Sequence, residues 1–196
     1  MFQHRRKALL WLTICAAIAL IVPPLMAQEA RPYHKLGRAA VEYRDKASHV
    51  VAAYYYSQRN HDYRWLYIQS GVTTRDNNVI RRDAIVLRTP QGREIPLATQ
   101  RRVAEDTTSV EKLLQNASVV SHEIRPYFIQ QNRFEEMQLF RLPFGNVVSD
   151  SFVVDDDRVA LGPLFFESPT GAWEDGTYTL VVRHEKGVAE LPITLE

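Results

Sequence analysis

Cysteine is nearly absent. The 196 residues hold one, Cys15, and it lies inside an N-terminal apolar run. The rest of the chain therefore has no disulfide framework, no thiol nucleophile and no thiolate metal site. Glycine is also sparse, with eight residues, no two of them two positions apart. That spacing excludes the glycine loops of dinucleotide-binding proteins and kinases, and neither a P-loop nor a Gly-x-Ser-x-Gly elbow occurs. An excess of one charge is missing as well, so the chain carries no electrostatic footprint for nucleic acid. Carboxylate pairs such as Glu135 and Glu136 are neighbours in sequence. They do not face each other across a cleft as glycoside hydrolysis requires.

Long apolar runs are missing but for one. Arg5, Arg6 and Lys7 precede fifteen residues, 8–22, interrupted only by Thr13 and stopped by Pro23 and Pro24. A cationic start, a short apolar stretch and a break are the three parts of a secretory signal peptide. The run is shorter than the roughly 20 residues that span a bilayer as a helix. Cleavage is expected after Ala27, although Leu25 occupies a position that prefers a small residue. The alternative is an uncleaved segment anchoring the chain to the inner membrane. Removing residues 1–27 takes away three cations and no acid, leaving 169 residues with 21 Lys or Arg against 23 acids, a balance of −2. That length suits one domain with a real core.

Residues 28–40 are polar and read as a tether. From residue 41 the texture becomes short apolar runs between turn signals, as in an all-β domain. Strands are expected near 49–58, 62–70, 79–89, 93–100, 135–142, 147–154, 158–167, 176–184 and 187–195. Pro90 and Gly92 in "TPQG" mark a turn, and Gly187 is expected to supply a positive φ in a short hairpin. Tyr178, Leu180 and Val182 share one face of a strand, as do Ala189, Leu191, Ile193 and Leu195. One segment breaks the pattern. Thr108 with Glu111 makes a capping box, and Val110, Leu113, Leu114 and Ala117 follow at helical spacing. This predicts a short helix at 109–117 within an insert near 107–126.

The fold class expected is mainly β: an antiparallel, Ig-like β-sandwich with a short helical insert, spanning 41–196. Two stretches carry the Ig-like likeness. In "EDGTYTL", Tyr178 stands two residues before Leu180, which resembles a tyrosine corner. Trp65 follows Ala53 by twelve residues, close to the spacing of an Ig core tryptophan. The turn "TPQGREIPLATQ" and the ending "GPLFFESPTGAWEDGTYTL" also resemble a group of secreted bacterial proteins without assigned activity. That resemblance implies an exported β-domain and brings no chemistry with it.

The most unusual stretch is "VVAAYYYSQRNHDYRWLYIQSG", with five tyrosines and a tryptophan within residues 54–67. On two paired strands, Tyr55 would face outward, and Tyr63, Trp65 and Tyr67 would share a face. Tyr55, Tyr63, Trp65 and Tyr67 are therefore the candidate ligand-binding residues, against a reading in which they are core. Three histidines stand beside acids: His61 before Asp62, His122 before Glu123, and His184 before Glu185. Neighbours on a strand point to opposite faces, so these read as solvated turn histidines and not as zinc ligands. Asp150, Asp155 and Asp157 are weak calcium candidates, weighed against a charged hairpin tip. Arg81 with Arg82, and Arg101 with Arg102, read as solvated strand-end pairs. No cofactor and no enzyme activity are expected. The leading functional expectation is an exported, periplasmic or extracellular module that binds or positions an unknown envelope protein. The alternative is a carbohydrate- or small-ligand-binding module that uses the aromatic strand pair.

Overall fold

A computed structural model of the chain describes residues 32–61, 63–120, 123–141 and 148–196. The expected signal segment, Asp62 and His122 lie outside the described residues. Twelve strands and two helices follow in order. They are β1 (Tyr33–Lys35), β2 (Ala40–Arg44), β3 (Ser48–Ala53), β4 (Trp65–Thr74), β5 (Asn78–Arg81), β6 (Ile85–Arg88) and β7 (Glu94–Pro96). Helices α1 (Gln100–Glu105) and α2 (Thr107–Val120) come next. The chain closes with β8 (Arg133–Glu136), β9 (Ser151–Val154), β10 (Arg158–Glu167), β11 (Gly176–His184) and β12 (Gly187–Leu195).

The expected class holds: the protein is mainly β. Six strands form one sheet in the order β1-β2-β3-β4-β10-β8, four form another in the order β12-β11-β6-β7, and β5 pairs with β9. Every pairing is antiparallel except that of β8 with β10. One buried cluster draws on both larger sheets. Val41, Val50 and Ile68 come from the first, and Leu87, Leu180 and Leu191 from the second. The alternation on β12 is as expected, with Ala189, Leu191, Ile193 and Leu195 buried between exposed or half-buried neighbours.

The strand β3 is buried at all six positions. A strand covered on both faces loses its alternation. Here the second cover is the segment holding the 3-10 turn Arg125–Tyr127. Ile124 and Phe128 from this segment pack with Ala40, Val51, Ala53 and Val159 on the outer face of the six-stranded sheet. Gly71 makes room for it. A Cβ there would stand 2.5 Å from Phe128 Cε2 and 2.9 Å from Leu161 Cδ2.

Several sequence expectations shift. Residues 33–35 and 40, read as tether, are strand, and Ala39 is fully buried. The polar edge strand β1 has no alternating apolar signal by which to announce itself. The span 79–89 divides into β5 and β6 around a 3-10 turn, Arg82–Ala84. The span 93–100 stops at Pro96, because Thr99 starts α1 and its hydroxyl accepts from the Arg102 N–H at 3.3 Å. The predicted helix 109–117 extends to Thr107–Val120, and its first turn is tied to Asp106: the Val110 N–H donates to the Asp106 carbonyl at 3.1 Å. Gly92 closes the turn as expected, its N–H donating to the Thr89 carbonyl at 2.9 Å, and it does so at a positive φ of +86°. Gly187 does not adopt one: Glu185 and Lys186 make the β11–β12 turn, and Gly187 pairs with His184 as the first residue of β12.

Gly71→Ala tests the covered outer face. Overpacking there is expected to lower stability by about 1–3 kcal/mol. In a Phe128→Ala background the loss should be smaller, since the obstructing ring is gone. Equal losses in both backgrounds, measured by urea denaturation, would contradict this packing.

Candidate functional site

The aromatic stretch is not a pair of facing strands. β3 ends at Ala53 and β4 starts at Trp65. Residues between them form a turn-rich loop, and side chains close the hydrogen bonds a ladder would have made. Ser57 is fully buried, and its hydroxyl both donates to the Tyr67 carbonyl at 2.8 Å and accepts from the Tyr67 N–H at 2.9 Å. The Tyr54 hydroxyl accepts from the Thr194 N–H at 3.3 Å, and the Gln58 carbonyl accepts from the Glu196 N–H at 2.9 Å. The loop is thus bonded to β4 and to the outer edge of β12.

His61 corrects the reading of solvated histidines. It is buried, with Nε2 2.8 Å from Asp175 Oδ1 and Nδ1 3.1 Å from the Gln58 carbonyl. His184 is half-buried, and burial lowers its pKa. Trp173 closes the loop from the other side. Its N–H donates to the His61 carbonyl at 2.9 Å, and its indole Nε1 donates to the Arg64 carbonyl at 3.1 Å. The Trp173 ring meets Tyr178 edge-on at 5.5 Å, and the Tyr178 hydroxyl donates back to the Glu174 carbonyl at 3.2 Å.

The four candidate ligand-binding residues therefore part company. Trp65 is only 2% exposed. Its Nε1 donates to Asp106 Oδ2 at 2.7 Å, joining the first residue of β4 to the α1–α2 junction. Tyr67 is half-buried against Phe165 at 5.7 Å, and burial raises its pKa to about 12. Tyr55 is half-buried against the core, and burial raises its pKa too. Tyr63 is 58% exposed. Tyr63, Trp65 and Tyr67 do not present one flat face, because Tyr63 precedes the strand.

Tyr63 and Trp65 nevertheless line a common groove of about 410 Å³, which Tyr55 and Tyr67 do not. Tyr56, Tyr63 and Arg64 form one wall, and Ser109, Lys112 and Asn116 of α2 form the other. Trp65, Leu113 and Asp106 complete the lining. On α2 these polar residues sit at i, i+3 and i+7, so they share a helix face. The same spacing that marked the apolar stripe could have marked this face. Asp106 accepts from the Ser109 hydroxyl at 2.6 Å and from Trp65, and these two bonds hold its carboxyl below the usual pKa against the opposing effect of burial.

The remaining candidates have local duties. Asp155 Oδ1 accepts from the N–H groups of Asp157 and Arg158 at 3.1 and 2.7 Å, which ties the β9–β10 turn. Asp157 Oδ1 accepts from the Asn132 N–H at 3.3 Å, and Asp150 Oδ1 lies 3.1 Å from Arg82 Nε. Among the described residues, no three His, Cys, Asp or Glu side chains gather to hold a metal ion. Two of the arginines read as solvated are structural. Arg82 is largely buried, donates to the Ala98 carbonyl at 2.7 Å and lies over the Phe140 ring at 4.9 Å. Arg102 grips both carboxylate oxygens of Glu167 at 2.6 and 3.0 Å.

A second polar cluster gave no sequence signal. His49 Nε2 lies 2.8 Å from Glu42 Oε1, and Nδ1 lies 3.1 Å from Arg44. Burial and the Arg44 charge lower the His49 pKa to about 4. The imidazole is therefore neutral at pH 7, with Nε2–H donating to Glu42 and Nδ1 accepting from Arg44.

No family model, no curated protein and no solved structure matches this chain.

Asp106→Asn reports on the Trp65 bond through pH. A carboxyl whose pKa is lowered in the folded state stabilises that state fully above its unfolded value of about 3.9. This contribution is lost as pH falls through the lower folded value. The stability advantage of the native chain over Asp106→Asn, read from urea midpoints, is expected to shrink as pH drops from 5 toward 3 (about one unit either side of that value). An advantage unchanged over that interval would contradict the assignment.

Proposed function

We propose that this protein is an exported, non-catalytic binding module of the cell envelope, and that its ligand occupies the groove between α2 and the side chains of Tyr56, Tyr63, Arg64 and Trp65. One observation carries the reading: a half-aromatic, half-polar groove of about 410 Å³ with an exposed tyrosine in its wall. That volume falls within the roughly 300–1,000 Å³ of small-ligand sites. Among the described lining residues the one carboxylate, Asp106, already serves Trp65 and Ser109, which suits binding. The domain also supports the groove from beneath, because Trp65 and Leu113 are buried core residues. The chain enters the described domain beside Arg44, whose N–H donates to the Pro32 carbonyl at 2.9 Å. Arg44 pairs with His49 and His49 with Thr73, near the end of β4 away from Trp65. The groove thus lies about 30 Å, the length of a ten-residue strand, from that entry point.

A second reading, an interaction or scaffolding module for an envelope protein, draws on exposed apolar side chains. Val119 is 82% exposed at the end of α2, and Ile129 is 88% exposed. Asn116→Trp separates the two. Asn116 is exposed, so the helix should tolerate the larger ring while the groove is obstructed. Under the groove reading, Asn116→Trp weakens glycan or small-ligand binding about tenfold or more, as loss of a bound contact set would. If a partner binds with undiminished affinity to Asn116→Trp but is lost with Val119→Asp, the groove reading fails and the scaffolding reading stands.

A further inference from the structure

The groove's polar groups divide unevenly by charge. Resting on the groove reading above, we infer that its ligand is an oligosaccharide bearing carboxylates, held by Lys112 and Arg64 with a sugar face against Tyr63.

The charge argument comes first. Among the described residues, Asp106 is the only acid in the lining, and its two oxygens already accept from Trp65 and Ser109. Two cations remain. Lys112 is exposed on α2 and makes no ion pair among the described residues. Arg64 is about half exposed, with Nε 3.9 Å from Glu167, a carboxylate that Arg102 already grips at two points. Lys112 is free to meet an anion, and Arg64, whose contact with Glu167 is a long one, has guanidinium N–H groups suited to a two-point bond with a carboxylate.

Shape and hydrogen bonding then choose the class. Tyr63 offers an exposed ring, an apolar surface against which the flat face of a sugar ring packs, and a hydroxyl at its tip. Ser109, Asn116 and Tyr56 add side-chain hydroxyl and amide groups, which match sugar hydroxyls. An extended peptide would need backbone partners instead. At the groove, β4 already pairs with β10, and the Tyr67 N–H and carbonyl on its other side are taken by Ser57. A helical peptide would need a trough of aliphatic side chains, whereas Leu113 is the only aliphatic side chain among the described lining residues.

The test is calorimetric titration of the full chain with trigalacturonate, its methyl ester and an N-acetylated triglutamate peptide. Trigalacturonate is expected to bind, and the methyl ester to bind about tenfold or more weakly, since charge-assisted bonds are lost. Lys112→Gln should weaken trigalacturonate by a similar factor and leave the ester unchanged. Tyr63→Ala should weaken both. Lys46→Gln, an equal charge change at the far end of the sheet, should alter neither. Equal binding of acid and ester overturns the carboxylate requirement and leaves the groove reading intact. Binding of the peptide in place of the sugars overturns the sugar class. Binding of any of them that ignores Tyr63→Ala and Asn116→Trp overturns the groove reading, and with it this inference. Binding of none of the three overturns the inference alone.

Discussion

A single hydrogen bond organises the end of the molecule that holds the groove: the indole of Trp65 donating to Asp106. It joins two parts that no strand pairing connects, the start of β4 and the α1–α2 junction. The ring is buried, while the bond itself is part-buried and both partners line the groove. A hydrogen bond to a charged group contributes about 1.5–3 kcal/mol. The same carboxylate takes the Ser109 hydroxyl, so the first turn of α2 is fixed by the residue that fixes the tryptophan. The wall of the groove is thereby held at a set distance from its floor.

The aromatic loop depends on that anchor and repeats its logic. Ser57 stands in for a strand neighbour of Tyr67, and Tyr54 for a strand neighbour of Thr194. Asp175 and Trp173 clasp the loop at His61 from a segment more than a hundred residues away in sequence. Buried polar side chains thus do what a ladder does elsewhere, which keeps backbone groups satisfied where the chain leaves regular structure. Among the described aromatic residues of the loop, Tyr63 is the one left exposed.

The sequence was most legible where one rule acts alone. The strands 158–167, 176–184 and 187–195 coincide with β10, β11 and β12, since alternation or a long apolar run meets no competing signal there. The helical insert was visible from Val110, Leu113 and Ala117, with its ends misjudged because Asp106, and not Thr108, secures its start. The aromatic stretch was misread as two strands because tyrosine and valine favour strands locally. Nothing local reveals that Ser57 and His61 have partners at Tyr67 and Asp175. Trp65 and Tyr63 were found as candidate site residues by composition. Lys112, Asn116 and Asp106 were not, since a polar helix face looks like any solvated surface until an aromatic wall stands opposite it. The reading of His61 as solvated failed for a related reason: burial by distant segments leaves no mark on the neighbouring residues.

The most direct measurement is proton exchange at the Trp65 indole, followed by NMR on the full chain and assigned by its loss in Trp65→Phe. If Asp106 holds the indole as described, this proton exchanges slowly and its resonance moves in Asp106→Asn. Exchange at the rate of a free indole, with no response to Asp106→Asn, would detach the helices from β4 and leave the groove without its floor.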